Sequence, residues 1–397
     1  MRVLILNYEF PPLGGGAGNA TAELVRSLEN EPDLEVVVVT SSTAGKRVSR
    51  NEFTRNSTVY YLPIGKNGAN IHYQTNRELL TYIVAGHRFL RKLLRKESFD
   101  RCLAVMTVPA GVNAWLIRKQ VPYLVSLQGS DVPGYSERFS MLYRFLTPTI
   151  HRIWRDSTSV VANSEGLRTL ALRSAPEQEI GVIPNGVDTE LFSPGPAGEA
   201  GRDGKQRIVC VGRLIERKGV RELLEAFELV AEELPQAHLD LVGSGNLERV
   251  LQRRIEARGL ADRITLHGSV PHDDLPFYLR RGSVFVLPSH AEGMSNALLE
   301  GMSCGLPVVV TDTGGTQELV QGNGVIVPMK EPKALAAALL DVLGDEARRA
   351  EWSRVSREIA LSLSWDAMAL RYMELCGRAR DRVAPSSVAH RERPGVG

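Results

Sequence analysis

The sequence predicts an α/β protein of two doubly wound, parallel-sheet domains that face each other across a cleft. Short apolar runs alternate with longer helical patterns along the 397-residue chain, which is typical of βα repeats on a parallel sheet. One segment near the middle, rich in Gly and Pro, interrupts this alternation. Because a single core rarely grows beyond about 250–300 residues, a chain of this length is expected to form two domains.

The first domain is predicted over residues 1–190. The apolar run at the N-terminus stops at Pro11 and Pro12, so we interpret it as a β-strand and not as a signal peptide. Strands are predicted at Val3–Leu6, Val36–Thr40, Val59–Leu62, Cys102–Met106, Tyr123–Leu127 and Val160–Ala162, and the clearest helices at Ala20–Glu29 and Leu79–Lys96.

A linker is predicted at residues 191–204, because Ser193–Gly204 is dense in Gly and Pro. The pattern then restarts and predicts a second domain over residues 205–364. Its strands are predicted at Ile208–Val211, His238–Val242, Ile264–His267, Val284–Leu287 and Val308–Thr311, and its helices at Val220–Leu234, Leu247–Arg258, Asp274–Arg280 and Asn296–Ser303. Residues 383–397 mix Pro, Ser, Arg and Gly and are predicted to be a disordered tail.

The composition excludes several function classes. A net charge of +2 offers no overall attraction to nucleic acid. The four cysteines lie far apart and form no CxxC pair, so neither a zinc site nor a disulfide framework is predicted. No apolar run reaches about 18 residues, as a membrane-spanning helix requires. We expect a cytoplasmic protein, with peripheral contact at the inner face of the membrane as the alternative.

The segment from Glu292 to Val310 is the most informative for function. It places Glu292 at a turn, opens a helix at Asn296 and carries a second carboxylate, Glu300, along that helix. The first amides of a helix lack internal partners and attract anions such as phosphate. Carboxylates accept hydrogen bonds, which suits the hydroxyl groups of a sugar. The combination predicts a nucleotide sugar, although a surface carboxylate favoured by the helix dipole is the alternative for Glu292.

Two loops that follow predicted strands complete the candidate site. Gly14, Gly15 and Gly16 precede the first helix, where glycine lets backbone amides approach a phosphate; a simple tight turn is the alternative. Arg213 and Lys218 lie on the loop after the first strand of the second domain. Two cations there can neutralise a departing diphosphate, whereas isolated basic loop residues are usually solvated.

With these motifs in view, the chain resembles the family 4 retaining glycosyltransferases of the GT-B fold. The resemblance runs from the glycine loop to Ser364-Trp365-Asp366 and is strongest where Glu292 and Glu300 are followed by GMSCGLPVVVTDTGGTQELV. It implies an N-terminal acceptor-binding domain and a C-terminal nucleotide-sugar domain, both Rossmann-like. It also implies that a helix at about residues 365–380 packs back on the first domain.

The resemblance implies roles for individual residues. Arg213, Lys218 and Glu292 are expected to be catalytic, the two cations at the diphosphate and the glutamate near the transferred sugar. Glu300 is expected to hold the ribose hydroxyls. Further donor contacts are expected at Gly15, Gly16, Val270, Met294, Ser295 and Asn296, with plain core packing as the alternative for Val270. Many relatives have an aromatic residue and Gly in the segment after Glu292, so the identity of the sugar is not predicted.

The acceptor is expected to contact the segment from Gln128 to Asp131. Many relatives have His where this chain has Gln128, and Gln cannot carry a proton at neutral pH. Gln128 can still hydrogen-bond a hydroxyl group. Asp131 either binds the acceptor or caps the next turn, and the sequence leaves both alternatives open.

The expected reaction moves a hexose or N-acetylhexosamine from a nucleoside diphosphate sugar to an acceptor hydroxyl and retains the anomeric configuration. UDP-sugars are the first expectation by family frequency and GDP-mannose the second. The acceptor is a lipid-linked intermediate, a glycan or a small molecule. No metal or other cofactor is expected, because no Asp, Glu or His cluster accompanies the diphosphate loops in sequence.

Three rival functions remain open. A GT-B phosphorylase or sugar-nucleotide epimerase shares the architecture, and a phosphorylase would require inorganic phosphate. A dinucleotide-dependent oxidoreductase is disfavoured because the glycine loop is not GxGxxG and no acidic residue ends the second strand. A non-catalytic sugar-nucleotide binding subunit would not hydrolyse the donor.

Residues 87–96 predict a basic amphipathic helix, with apolar residues on one stripe and cations beside it. One interpretation is a surface that rests on an anionic membrane. The preferred interpretation is a helix that packs its apolar stripe into the core and leaves the cations in solvent.

Overall fold

The structure, a computed structural model, describes residues 1–13, 15–42, 45–65, 75–135, 140–195 and 204–377. The described strands form two separate, mainly parallel sheets with helices packed on them, so the predicted α/β fold class is confirmed. The predicted tail and residues 196–203 of the predicted linker lie outside the described residues. No helix within the described ranges is both long and apolar enough to cross a membrane.

The first sheet has a central strand that is buried on both faces. Its strands are β1 (Arg2–Asn7), β2 (Glu35–Ser42), β3 (Ser49–Thr54), β4 (Ser57–Pro63), β5 (Arg101–Val105), β6 (Tyr123–Leu127), β7 (Ser159–Ala162) and β8 (Gly181–Val182). The spatial order is β3-β4-β2-β1-β5-β6-β7-β8, and the neighbouring strands run parallel except β3 and β4. The sequence analysis missed β3 and β8, because β3 is polar and exposed and β8 has two residues.

Helices pack on both faces of this sheet. They are α1 (Gly16–Ser27), α2 (Asn76–Leu93), α3 (Val112–Ile117), α4 (Ser140–Arg155) and α5 (Glu165–Ser174). Helix α2 begins three residues before the predicted Leu79, because Thr75 and Glu78 satisfy the first amides through a capping box. Helix α1 begins four residues before the predicted Ala20, at Gly16, which is the last glycine of the predicted loop.

The second sheet has six strands, and all of its described strand pairs are parallel. Its strands are β9 (Gln206–Val211), β10 (Ala237–Val242), β11 (Ile264–Gly268), β12 (Val284–Leu287), β13 (Val308–Thr311) and β14 (Gly324–Val327). The order is β11-β10-β9-β12-β13-β14. Its helices are α6 (Val220–Glu233), α7 (Glu248–Ala257), α8 (Leu275–Arg280), α9 (Asn296–Ser303), α10 (Pro332–Gly344) and α11 (Glu346–Leu361).

The chain crosses between the domains twice, and the two crossings lie side by side. Val187 N donates to the carbonyl of Leu363 over 2.9 Å. At Gly186 an added Cβ would lie 2.3 Å from the backbone nitrogen of Trp365, so the two segments touch without side chains between them. After the second crossing, helix α12 (Trp365–Leu375) packs on α1 and enters the core of the first domain.

Two residues of the predicted linker, Leu191 and Phe192, pack on the second domain. Phe192 is 1% exposed and packs in the core of the second domain, and Leu191 packs against the same cluster. A high density of Gly and Pro indicates where regular structure ends. It does not indicate that the apolar residues just before it pack in a hydrophobic core.

The apolar stripe of the basic helix points into the protein. Leu90 and Leu93 are buried in the core of the first domain, and Phe89 packs tilted against Tyr60 with ring centroids 5.0 Å apart. Arg88 and Arg91 are exposed. This arrangement matches the preferred interpretation of residues 87–96, because the stripe that could have entered a membrane is covered by the sheet.

Candidate active site

The candidate site lies where the carboxyl ends of the two sheets meet, the usual position of ligands in open α/β sheets. The backbones approach closely there. An added Cβ at Gly293, in the loop after β12, would lie 3.0 Å from the carbonyl oxygen of Gln128. At Gly166 an added Cβ would lie 2.2 Å from the backbone of Gly314. Loops from both domains therefore contribute to one region.

Lys218 and Glu292 form a buried ion pair in this region. The short 3-10 turn Glu216–Lys218 follows the β9 loop and ends at Gly219, whose φ of 64° favours glycine. This turn places Lys218 Nζ 2.5 Å from Glu292 Oε1. Only 16% of the Lys218 side chain and 9% of the Glu292 side chain are exposed, so the pair is shielded from solvent.

Glu292 remains negatively charged although it is buried. Burial opposes the charged form, but the charges of Lys218 and Arg217 and the hydrogen bonds from Lys218 and Ser289 outweigh it, so the pKa of Glu292 lies below its usual value. Ser289 Oγ donates to Glu292 Oε1 over 2.7 Å. The alternative of a surface carboxylate does not describe this side chain, which instead fixes the position of the Lys218 ammonium group.

Arg217, which the sequence analysis did not single out, joins the two domains beside this pair. Its Nη1 donates to the Tyr135 hydroxyl over 3.2 Å and to the carbonyl of Ala291 over 3.1 Å. Burial raises the pKa of Tyr135 above its usual value, and the nearby Glu292 adds to the effect. Burial disfavours the charge of Arg217, but Tyr135 and Glu292 outweigh it and raise the pKa of Arg217. A neutral hydroxyl and a cation thus meet across the cleft.

Arg213 lies half-buried on the same loop as Lys218. The aliphatic part of the Lys218 side chain passes 3.8 Å from where a Cβ would stand at Gly212, the residue before Arg213. The two cations that are predicted to meet a diphosphate therefore belong to one short loop after β9.

The glycine loop faces the start of α9. An added Cβ at Gly15 would lie 1.9 Å from Glu9 Oε2, whereas no heavy atom stands within 4 Å of that position at Gly16. Asn296 Nδ2 approaches the carbonyl oxygen of Gly16 to 3.5 Å across the cleft. Gly14 lies outside the described residues.

A cavity of about 490 Å³ lies between the domains at Glu300. Asn19 and Glu23 of α1 line it from the first domain, and Phe192, His272 and Asn296 line it from the second. The His272 ring donates from Nε2 to Glu300 Oε1 over 2.9 Å.

Lys218, Glu292 and Arg213 do not line this cavity. The structure therefore brings the predicted residues together in two groups, one around the Lys218–Glu292 pair and one around Glu300. The segment from Glu292 to Glu300 connects the two groups.

Other predicted donor residues have structural partners. Met294 is buried in the core of the second domain, where Asn185 N donates to its Sδ over 3.2 Å. The Ser295 hydroxyl caps α9 by accepting from the amide of Leu298 over 3.4 Å. Val270 is half-buried and packs against the same core, as its alternative interpretation has it. The donor contacts of these three residues stay predictions.

Asp131 is occupied by its own loop. Its Oδ1 accepts from the amides of Gln128 and Gly129, both over 3.0 Å, and its Oδ2 accepts from the amide of Thr107 over 2.8 Å. Burial raises the pKa of Asp131, although these amides act in the opposite direction. The geometry favours the capping alternative over acceptor binding.

Gln128 is held by neighbours on both sides. Its Nε2 donates to Ser126 Oγ over 2.8 Å, and its Oε1 accepts from Asn163 Nδ2 over 3.3 Å. Ser126 Oγ in turn lies 2.7 Å from the hydroxyl of Tyr372 on α12. The helix that returns to the first domain therefore supports the residue that stands in place of the expected His.

Among the described residues, no group of three or more His, Cys, Asp or Glu side chains is arranged to hold a metal ion. Metal independence stays a prediction.

Solved structures share this two-domain arrangement. Sucrose-phosphate synthase from Thermosynechococcus elongatus is similar with a TM-score of 0.80 at 22% identity, over 94% of this chain and 98% of that chain. The Anabaena protein HepE, crystallised with UDP-glucose, has a TM-score of 0.72 at 19% identity, over 94% of this chain and 98% of that chain. The fold is GT-B.

Sequence comparisons define the family. The profile of "Glycosyltransferase Family 4" matches residues 14–191, and that of "Glycosyl transferases group 1" matches residues 205–345. The GDP-mannose-dependent alpha-(1-6)-phosphatidylinositol monomannoside mannosyltransferase of Mycobacterium tuberculosis is 30% identical over 93% of this chain and 96% of its own length. The chain belongs to the family 4 glycosyltransferases.

Proposed function

We propose that this protein is a retaining, metal-independent glycosyltransferase whose donor is GDP-mannose. One observation carries the choice of donor: the mannosyltransferase relative that uses GDP-mannose matches over 93% of this chain. UDP-sugars, the first expectation from the sequence, become the second candidate. The solved structures that contain UDP are less than 25% identical to this chain and support the fold alone.

The reaction breaks the bond between the anomeric carbon and the diphosphate oxygen. The acceptor oxygen bonds to that carbon on the same face, and the acceptor proton passes to the departing phosphate oxygen. No protein base is needed in this scheme. The protein must instead stabilise the negative charge that develops on the diphosphate, and preorganised cations in a shielded site do this best.

Lys218 is suited to this task because it is held in place before the donor arrives. Its ammonium group is buried against Glu292 and cannot rotate freely into solvent. Arg213 shares the loop, and the first amides of α9, which follows Glu292 in sequence, carry partial positive charge. Glu300 faces the interdomain cavity, where its carboxylate can accept from both hydroxyls of a ribose.

A screen of nucleotide sugars tests this assignment. We expect GDP-mannose and GDP to raise the melting temperature, because a ligand bound only by the native state stabilises it by about 2.7 kcal/mol at 100 times its Kd. The nucleotides GDP, UDP and ADP and their corresponding sugar nucleotides are all measured at equal concentrations. Stronger stabilisation by UDP-glucose than by GDP-mannose would contradict the proposed donor.

Activity controls separate the rival functions. Donor hydrolysis or transfer in the absence of inorganic phosphate distinguishes a transferase from a phosphorylase. Dialysis against a chelator should leave the rate unchanged. A protein that binds GDP-mannose but never cleaves it would instead be a non-catalytic binding subunit.

For the acceptor we propose a lipid with an exposed hydroxyl, reached by peripheral contact with the membrane. The relative from Mycobacterium tuberculosis acts, by its name, on a phosphatidylinositol monomannoside. In this chain, Leu80 and Val84 stand one turn apart on the outer face of α2 and are 62% and 42% exposed. Arg88 and Arg91 follow on the exposed side of the same helix. Apolar residues beside cations favour an anionic lipid surface.

Vesicle binding tests this contact. We expect the protein to sediment with vesicles that contain phosphatidylglycerol and to release at high salt. Leu80→Ser with Val84→Ser is expected to weaken binding about tenfold, because two apolar side chains no longer enter the interface. Leu361→Ser is the control, since Leu361 is a comparably exposed leucine (52%) on α11 of the second domain. Equal binding by both variants would contradict the proposal.

A further inference from the structure

The cavity beside Glu300 is lined by a histidine, His272, that contacts this glutamate. His272 begins the turn between β11 and α8, and its ring stands on the cavity wall. The hydrogen bond from Nε2 engages Oε1 of Glu300 and leaves Oε2 without this contact. The ring of Phe192, which is fully buried, packs edge-on against the imidazole with centroids 5.1 Å apart.

We propose that His272 is a positioning residue for the nucleoside of the donor, because it holds the Glu300 carboxylate in the orientation that receives the ribose. This inference rests on the proposed function and adds a residue to it. Oε1 of Glu300 accepts from His272, and the residue lines the cavity, so Oε2 is left to accept hydrogen bonds from the ribose. Phe192 restricts the imidazole, and the imidazole in turn restricts the carboxylate.

The charges around the cavity make this arrangement sensitive to pH. Glu300 of α9 and Asp273 of the same turn approach His272 from the second domain, and Glu23 of α1 approaches it from the first. Arg26, also on α1 and paired with Glu23, and Asp188 complete the charged groups that line the cavity. The carboxylates outnumber the cation, so the surroundings favour a protonated imidazole.

Protonation of His272 should strengthen nucleotide binding. The hydrogen bond to Glu300 raises the pKa of His272 above its usual value, burial opposes this, and the charges of Glu300, Glu23 and Asp273 add to it. A charge-assisted hydrogen bond is stronger than a neutral one. Glu300 is therefore held most firmly when His272 is protonated. Nucleotide affinity should be highest at low pH and fall as the pH rises through the pKa of His272.

The experiment measures the Kd of GDP and of UDP by calorimetry between pH 5.5 and about 9, the range over which a His with a raised pKa titrates. The terminal phosphate of a nucleoside diphosphate itself titrates at about pH 6, so the wild-type Kd is compared at each pH with that of His272→Gln. Relative to this variant, the wild-type Kd should rise about tenfold across the range, the effect of losing one charge-assisted hydrogen bond. His272→Gln retains a donor but cannot titrate, so its Kd should vary with pH only as far as the ligand itself titrates. His272→Ala should bind about tenfold more weakly at low pH.

Two controls separate positioning from a general effect on the fold. Asp273→Asn keeps the bond to Glu300 but removes a carboxylate that raises the pKa of His272, so the midpoint should move to lower pH. Inorganic pyrophosphate lacks the ribose, and its Kd should be the same in the wild type and in His272→Ala. The same pH dependence of Kd in His272→Gln as in the wild type, or an equal loss of pyrophosphate binding in His272→Ala, would overturn the role of His272. A wild type that binds neither GDP nor UDP would overturn the proposed function, and this role with it.

Discussion

Replacing Lys218 by Met is expected to lower kcat by about 100-fold or more while the donor still binds. Removal of one preorganised group that stabilises developing negative charge typically costs a factor of about 100 to 1,000 in kcat. Met has nearly the length of the Lys side chain without its charge. The measurement is the turnover of the donor with the acceptor that supports the highest rate, at saturating donor.

This variant also changes stability, and the two effects must be separated. Without Lys218, the buried Glu292 loses the cation that contacts its Oε1 at 2.5 Å. The double variant Lys218→Met with Glu292→Gln removes both charges, so it should regain thermal stability without regaining activity. If Lys218→Met turned over at the wild-type rate, the departing diphosphate would not depend on this loop.

The long-range pairs explain why the site could be predicted only in part. Lys218 and Glu292 are 74 residues apart in sequence, and Arg217 and Tyr135 are 82 apart. Spacing along the chain cannot show that such residues meet. Lys218 and Glu292 were named because the resemblance to a family assigns them roles, whereas Arg217 and Tyr135 have no such support. The sequence analysis did not single out His272, and its contact with Glu300, 28 residues away, cannot be inferred from spacing along the chain.

The fold was easier to predict from the sequence than the site, because central parallel strands are buried on both faces and therefore form continuous apolar runs. The run Val308–Thr311 was predicted with the bounds that β13 has in the structure. Peripheral elements lack this signal. Strand β3 is polar and exposed at the edge of its sheet, and α11 is charged along most of its length. Neither buries enough apolar surface to stand out from a loop in the sequence.

A second large effect is expected at the buried carboxylate of Asp240, which does not line the interdomain cavity. This residue of β10 pairs with Arg207 of β9, with Arg207 Nη1 2.8 Å from Asp240 Oδ2 and side-chain exposures of 10% and 6%. His267 of β11 donates from Nε2 to Asp240 Oδ1 over 2.7 Å. Burial opposes the charge of Asp240, but His267 and Arg207 outweigh it and lower its pKa. Arg207, Asp240 and His267 therefore form a polar cluster on three adjacent strands, and this cluster contains a buried ion pair.

Asp240→Leu is expected to destabilise the protein by about 3–5 kcal/mol, because removal of one partner leaves the Arg207 charge buried without this carboxylate. For a unit of 150–250 residues this corresponds to a fall of about 10 °C in the melting temperature. The double variant Arg207→Met with Asp240→Leu should recover most of the loss, since an apolar pair of similar volume replaces the ion pair. A single variant as stable as the wild type, or a double variant no better than the single, would contradict this view.

The difference in stability between the wild type and Asp240→Leu should depend on pH in one direction. The folded pKa of Asp240 is lower than its unfolded value, so its pairing contributes stability at any pH above the unfolded value. That contribution is lost as the pH falls through the folded pKa, where the carboxyl group protonates. The gap in melting temperature between the wild type and Asp240→Leu should therefore be constant near neutral pH and shrink in acid. Since Arg207, Asp240 and His267 do not line the interdomain cavity, the Kd of GDP at 25 °C should remain unchanged in the double variant, which distinguishes a residue that supports the second sheet from one that binds the donor.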